Sequence, residues 1–299
     1  VLQAPGAGHP RSRLLVLDTA FARAPRAVEL DGRFEFDAIA NDGDALFLTE
    51  FPLPNAEDRY QVRRYNLATG ALEPLPVAIK GEGVEMSGVR RMALASGDGA
   101  WLYSLYINDG HSFIHALNLA GGFAFCLDLT GEGSFDQQML WSLAMGGDGT
   151  LYAANGALGQ VAEVQTRQDV PQITRSASLT PAPQAGLLER IGGWLAPVAE
   201  AKRIVIGGAA LSPDGGTLFA LAERGLVAID TRDLTLRARL GGEAPLDSLA
   251  LSADGERLYA VSAERGAILL LDPASGAELG EVAGASRPWG VLRVTTTDR

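Results

Sequence analysis

An all-β fold assembled from repeated four-stranded units is predicted by three features of this sequence. A turn marker built on Asp-Gly recurs five times: ANDGDALFLT around Asp42, GDGAWLYSL around Asp98, GDGTLYAA around Asp148, SPDGGTLFAL around Asp214 and SADGERLYAV around Asp254. Short apolar strands flank each marker in the same order. The markers stand 56, 50, 66 and 40 residues apart, and a shortest period near forty with variable additions is that of a four-stranded propeller blade.

Each part of the unit has a physical role. A narrow apolar run such as AALSP or LALSA precedes the marker, as an inner strand crowded around an axis requires. Asp-Gly then supplies a turn that needs positive φ, and an alternating strand such as LFAL or LYAV returns. In the last unit AILLLDP reads as strand three, ASG as a turn and AELGEV as strand four; GLVAIDT, RDL and TLRARL repeat this one unit earlier.

The N-terminal RLLVLDTAFARAPRAVEL, Arg13 to Leu30, matches strands three and four but has no first strand before it. SRPWGVLRV, Ser286 to Val294, reads as a first strand with no blade after it. The two ends are therefore expected to share one composite blade that closes the ring. Five whole blades and one composite give a single six-bladed β-propeller over residues 1–299, with seven blades as the competing count.

The pattern PWGV, then LSPDG-x-x-LYA, then a strand ending in ID or LD before a T-x-x or P-x-S-G turn resembles the YVTN-type, WD40-like propeller repeats. The likeness is specific over about residues 203–299 and decays toward the N-terminus. It implies a propeller of a kind often placed outside the cytoplasm, and it carries no shared catalytic residue.

Three segments break the repeat, and in repeat proteins such departures are where function concentrates. They are EFPLPNAEDRYQ, Glu50 to Gln61; KGEGVEMSGVRR, Lys80 to Arg91; and residues 180–203. In the last, Leu187, Leu188, Ile191, Trp194, Leu195 and Val198 fall at helical spacing, which predicts a short inserted helix near 184–201 lying against the propeller or docking a partner.

A formal charge of −11 with pI near 4.8, and no run of Lys or Arg, argue against nucleic acid. No apolar run reaches 18 residues, so no membrane span is expected. The first residue is Val1 rather than Met, which fits an exported protein whose leader has been removed. The lone Cys126, in FAFCLDL, reads as a small buried hydrophobe and forms no intramolecular disulfide.

His111 and His115 share the i, i+4 spacing of a helical metal pair but stand where a turn enters a strand, so they are not expected to converge. No metal constellation, cofactor motif, G-x-S-x-G elbow or phosphate loop is present in the sequence. Counting back from each marker places Glu35, Arg90, Trp141, Gly207, Asp247 and Trp289 at equivalent inner-strand positions, with Arg91 and Gln138 as substitutes if the register slips by one. Glu35, Arg90, Trp141, Asp247 and Trp289 are the candidate ligand-binding residues.

These features predict a non-enzymatic, extracytoplasmic binding protein that engages a small ligand or a protein partner through one face. The competing reading is a lactonase-type hydrolase using axial carboxylates with or without a metal. A quinoprotein-like redox subunit is a third class, but no tryptophan-cysteine pairing supports it. If the composite blade closes the ring, removing residues from Arg287 onward abolishes cooperative unfolding; a truncated protein that melts as the parent does would refute the composite blade and the count of six.

Overall fold

The computed structural model describes residues 2–3, 10–20, 22–52, 59–79, 85–108, 111–167, 169–179, 207–242, 244–283, 288 and 290. These residues are almost wholly β. β1 (Leu2–Gln3), β2 (Arg11–Val16) and β3 (Arg26–Asp31) form an antiparallel sheet in that order. β4 (Arg33–Ile39), β5 (Ala45–Phe51), β6 (Arg59–Asn66) and β7 (Ala71–Leu72) form the next sheet. Two short strands follow, β8 (Ala78–Ile79) and β9 (Glu85–Ser87).

The third sheet orders β10 (Val89–Ala95), β11 (Trp101–Ile107), β12 (Ser112–Asn118) and β13 (Phe123–Leu129), with β8 added parallel to β13. After the one-turn helix α1 (Phe135–Gln138) come three four-stranded sheets. These are β14 (Ser142–Met145), β15 (Leu151–Asn155), β16 (Gln160–Gln165) and β17 (Gln172–Ser178); β18 (Ala209–Leu211), β19 (Thr217–Leu221), β20 (Leu226–Asp230) and β21 (Thr235–Leu240); and β22 (Ser248–Leu251), β23 (Leu258–Ser262), β24 (Ala267–Leu271) and β25 (Glu278–Ala283).

The expected strand order within each repeat is what these sheets show, including the N-terminal pair β2–β3. Apart from Pro288 and Gly290, the expected closing strand lies outside the described residues, as do Trp289 and the inserted helix near 184–201. One expectation is corrected. The segment Lys80 to Arg91, read as a loop, contains β9, which pairs antiparallel with β6 through Tyr60 and Met86; its three residues are too few to stand out in the sequence as a strand.

All five markers form the same turn. Gly43, Gly99, Gly149, Gly215 and Gly255 have φ between 70° and 85°, and the Asp before each accepts the backbone N–H two residues on. This Asx turn satisfies an otherwise exposed donor and fixes where the return strand begins. Ser96, Ser212 and Ser252 add a second brace, each hydroxyl donating to the Asp carboxylate and accepting from the N–H that opens the next strand. These bonds hold the carboxyls of Asp98, Asp214 and Asp254 below the usual range.

The core lies between successive sheets. Leu14 and Val28 pack on Phe34, Leu46 and Leu48; Tyr152, Ala154 and Val161 pack on Leu218, Ala220 and Ile229; Phe219, Leu221 and Leu226 pack on Leu249, Leu258 and Leu269. By Cα proximity the chain divides into two compact units, residues 1–90, 95–108 and 113–127, and residues 91–94, 109–112 and 128–299.

Neighbouring markers also touch within the second unit. A Cβ added at Gly255 would stand 2.7 Å from Pro213, whereas one at Gly215 would meet nothing within 4 Å. Gly215→Ala therefore carries only the positive-φ penalty, about 1 kcal/mol, and Gly255→Ala loses more because the Cβ also collides with the preceding marker. Urea unfolding of the two variants should rank them in that order; equal losses would show that the contact is not constraining.

Candidate functional site

The first unit concentrates its buried ionisable groups around one irregularity. Phe36 of β4 pairs with Leu48 and Ala38 with Phe47, which leaves Asp37 unmatched in a β-bulge. Burial along β4 changes phase there: Phe34 is buried, Glu35 and Phe36 are exposed, and both Asp37 and Ala38 are buried. The bulge thus turns inward a carboxylate that strict alternation would leave beside Glu35 on the outer face.

Arg90, at the start of β10, meets it. One guanidinium nitrogen lies 2.9 Å from Asp37 Oδ1, with the Asp37 side chain fully buried and that of Arg90 31% exposed. The contact is coulombic, for neither Asp37 oxygen accepts a well-directed hydrogen bond. Burial pushes the Asp37 carboxyl above its ordinary range, and Arg90 opposes the shift without cancelling it.

Aromatic and polar groups enclose the pair. Tyr60 of β6 stacks on Tyr106 of β11 at 5.1 Å, Tyr106 stacks on Phe113 at 5.3 Å and meets the His115 ring edge-on at 6.3 Å. Burial first, and the Asp37 charge among the lesser causes, raises both phenols. His115 is completely buried, neither ring nitrogen has a hydrogen-bond partner, and Ser104 Oγ likewise has none. Burial, assisted by the Arg90 charge, lowers the imidazole to about 4, so it is neutral at physiological pH.

The corner between β9 and β10 holds this end of the unit together. Gly88 has φ near 120°, and a Cβ there would stand 2.7 Å from the Ile107 carbonyl oxygen. Only glycine permits that approach. Asn108 donates to Ser87 Oγ across the same corner at 2.9 Å.

The other sequence candidates are placed as follows. Glu35 is half-exposed and 3.4 Å from Arg33, whose guanidinium lies 4.3 Å above the Phe51 ring. Trp141, in the second unit, is buried and donates to Gln138 Oε1 at 3.1 Å. Gln138 also accepts from Ser112 Oγ and donates to the Gly131 carbonyl, so it is a satisfied structural hub. Arg91 is buried and donates to the Met139 carbonyl at 2.7 Å. Asp247 accepts the Ala263 N–H at 2.7 Å, and the Gly207 carbonyl accepts from Leu249 N and Ser248 Oγ. Trp289 lies outside the described residues.

Arg90 is thus the sequence candidate joined to the buried cluster, while Asp37, Tyr60, Tyr106 and His115 were missed as site residues. Cys126, expected to be buried, is only half-buried. His111 is exposed and 3.4 Å from Asp128, whereas His115 is sealed inside, so the histidine pair does not converge. Among the described residues no three His, Cys, Asp or Glu side chains are grouped to hold a metal. A separate cleft of about 400 Å³ in the second unit is lined by Gly156, Ala222, Glu223, Arg224, Arg239 and Gly242, among others.

The chain therefore has the fold class of all-β proteins built from successive, mostly four-stranded antiparallel sheets. No protein-family model and no curated protein matches its sequence. Among solved structures it is similar to the periplasmic gluconolactonase of Pseudomonas aeruginosa, with 19% identity and TM-score 0.51 over 95% of this chain and 80% of that one. It is also similar to a Bacteroides fragilis protein named as a 6-phosphogluconolactonase, with 13% identity and TM-score 0.50 over 94% and 79%. A third likeness is to a dihydro-heme d1 dehydrogenase, with 14% identity and TM-score 0.52 over 93% of this chain but 52% of that one. At these identities the likeness shows a lactonase-type, propeller-like fold. Among the described residues no helix is long and apolar enough to cross a membrane.

The sealed imidazole makes stability depend on pH. His115 titrates near 6.5 in the unfolded chain and near 4 in the fold, so acidification protonates the unfolded state first. Stability is expected to fall as pH drops through that window, by an amount on the order of 3 kcal/mol. Asp37 acts oppositely: its raised carboxyl takes a proton in the fold before the unfolded chain does, which favours the fold as pH falls through the folded-state value toward 3.8. His115→Gln should flatten the acid limb in urea titrations between neutral pH and pH 4. Parallel profiles for parent and variant would show that His115 is not the group responsible.

Proposed function

We propose that the chain is a non-catalytic six-bladed β-propeller, closed by a composite blade and related to the YVTN-type repeats, that works outside the cytoplasm and binds a small oxyanion. Arg90 carries this reading: its guanidinium is fixed on one side by a buried carboxylate and keeps a third of its side chain exposed, which leaves it pre-oriented toward a carboxylate or similar anion. The aromatic stack behind it excludes water from the pair and strengthens its field. Repeats related to those of exported proteins, together with the fold shared with a periplasmic enzyme, support the extracytoplasmic placement.

Three of the groups that could abstract a proton from water are poorly placed to do so. Asp37 and His115 are sealed from solvent, and Glu35 lies against Arg33. General-base catalysis needs a base within reach of the water it activates. A lactonase-type hydrolase remains the second reading, favoured by the folds of the gluconolactonase and the protein named as a 6-phosphogluconolactonase.

D-gluconate, D-galacturonate and sulfate binding should be measured by calorimetry, and gluconolactone hydrolysis assayed with and without calcium, zinc or magnesium. Binding that weakens at least tenfold in Arg90→Gln but not in Arg239→Gln, with no hydrolysis above the buffer rate, is the expected result. Loss in Arg239→Gln alone would move the site to the cleft of the second unit. Turnover lost in Glu35→Gln or Asp247→Asn would establish the hydrolase.

A further inference from the structure

We propose that anion binding at Arg90 is coupled to proton uptake by Asp37: an oxyanion that engages the exposed edge of the guanidinium takes over its charge, and the buried carboxylate becomes a carboxylic acid by accepting one proton from solvent. The inference rests on Arg90 being the anion site and adds the regulation of that site. It makes the ligand an anion whose affinity is set by pH even where the anion itself does not titrate.

The geometry leaves Asp37 little choice. Its side chain is fully enclosed, its cationic partner is Arg90 at 2.9 Å, and neither oxygen accepts a directed hydrogen bond. No backbone N–H donates to either oxygen in place of the cation. The guanidinium is therefore the group that favours the ionised form of this carboxyl, against its burial. When a second anion shares that guanidinium, the buried charge is no longer compensated, and a buried carboxylate in that position neutralises rather than remain ionised.

The other groups coupled to the pair are Tyr60 from β6, Tyr106 from β11 and His115 from β12, and Cys126 from β13 acts on the two phenols. Both phenols are pushed upward and stay protonated, so they supply no compensating charge. His115 is the one rival acceptor. The Arg90 charge disfavours its protonated form, and its own burial does so more strongly. Asp37 has the reverse preference, since burial favours its protonated form. An added negative charge near Arg90 pushes both groups toward protonation, but burial favours that form at Asp37 and opposes it at His115.

Calorimetry with sulfate and D-gluconate, neither of which titrates between about pH 5 and 8, can count the protons. Titrations in buffers of different ionisation enthalpy should give an uptake approaching one proton per anion, and affinity should fall about tenfold per pH unit above the Asp37 midpoint. Asp37→Asn should bind with no net uptake and a flat pH profile, whereas His115→Gln should keep the uptake. Carboxyl-carbon NMR of the Asp-labelled parent reads the same event without a variant, as an Asp37 resonance that moves to the protonated position on saturation.

Binding without uptake, or uptake that survives in Asp37→Asn and vanishes in His115→Gln, overturns the coupling while leaving Arg90 as the anion site. Failure of both anions to bind, or binding unaffected by Arg90→Gln, removes the site itself. The two failures are therefore separable.

Discussion

The hydrogen bond that the backbone N–H two residues on donates to the Asp of each marker is the contact from which the sheets take their register. It closes the hairpin between the first two strands of five units, with the following Gly at positive φ. Because side chains alternate across a strand, a slip of one residue would exchange the buried and exposed faces. The sheets pack on one another through those faces. A small local bond thus determines which residues become core, and its recurrence makes the whole pattern consistent.

This explains why so much of the fold was legible in the sequence. Asp-Gly is a local signal whose conformation hardly depends on the rest of the chain, and the strands beside it carry simple alternation. The order of strands in the last two units could be read directly from GLVAIDT, TLRARL, AILLLDP and AELGEV, which are β20, β21, β24 and β25 with small changes at the ends. The three-residue strand β9 could not be read, because its pairing with β6 is decided by a distant partner and by the close approach at Gly88.

The site was less legible for the same reason. Counting along the inner strands assumes unbroken alternation, and the bulge in β4 breaks it at Asp37. The count found Arg90 but assigned the outward carboxylate, Glu35, to the site and passed over its inward neighbour. His115 was set aside because it could not join His111 on a metal, which is correct for that pair. Its contact with Tyr106 depends on the neighbouring strand β11, a pairing that the residues around His115 do not announce. In FEFDAIA itself Asp37 falls in step with Glu35, so the alternation of the sequence carries no sign of the bulge.

Two buried polar centres in this protein differ in a way that separates scaffold from function. Gln138 engages both ends of its amide, accepting from Ser112 and Trp141 and donating to the Gly131 carbonyl. A buried polar group bonded in this way specifies a fold. Asp37 and His115 are as deeply enclosed but lack directed hydrogen bonds, and their protonation states are held in place by burial and one partly exposed guanidinium. A buried group in that condition contributes less to stability than an apolar residue of its size would. On the proposed reading its place is beside the anion site at Arg90, where a buried carboxyl with one cationic neighbour can change its charge without rearranging the sheets that carry it.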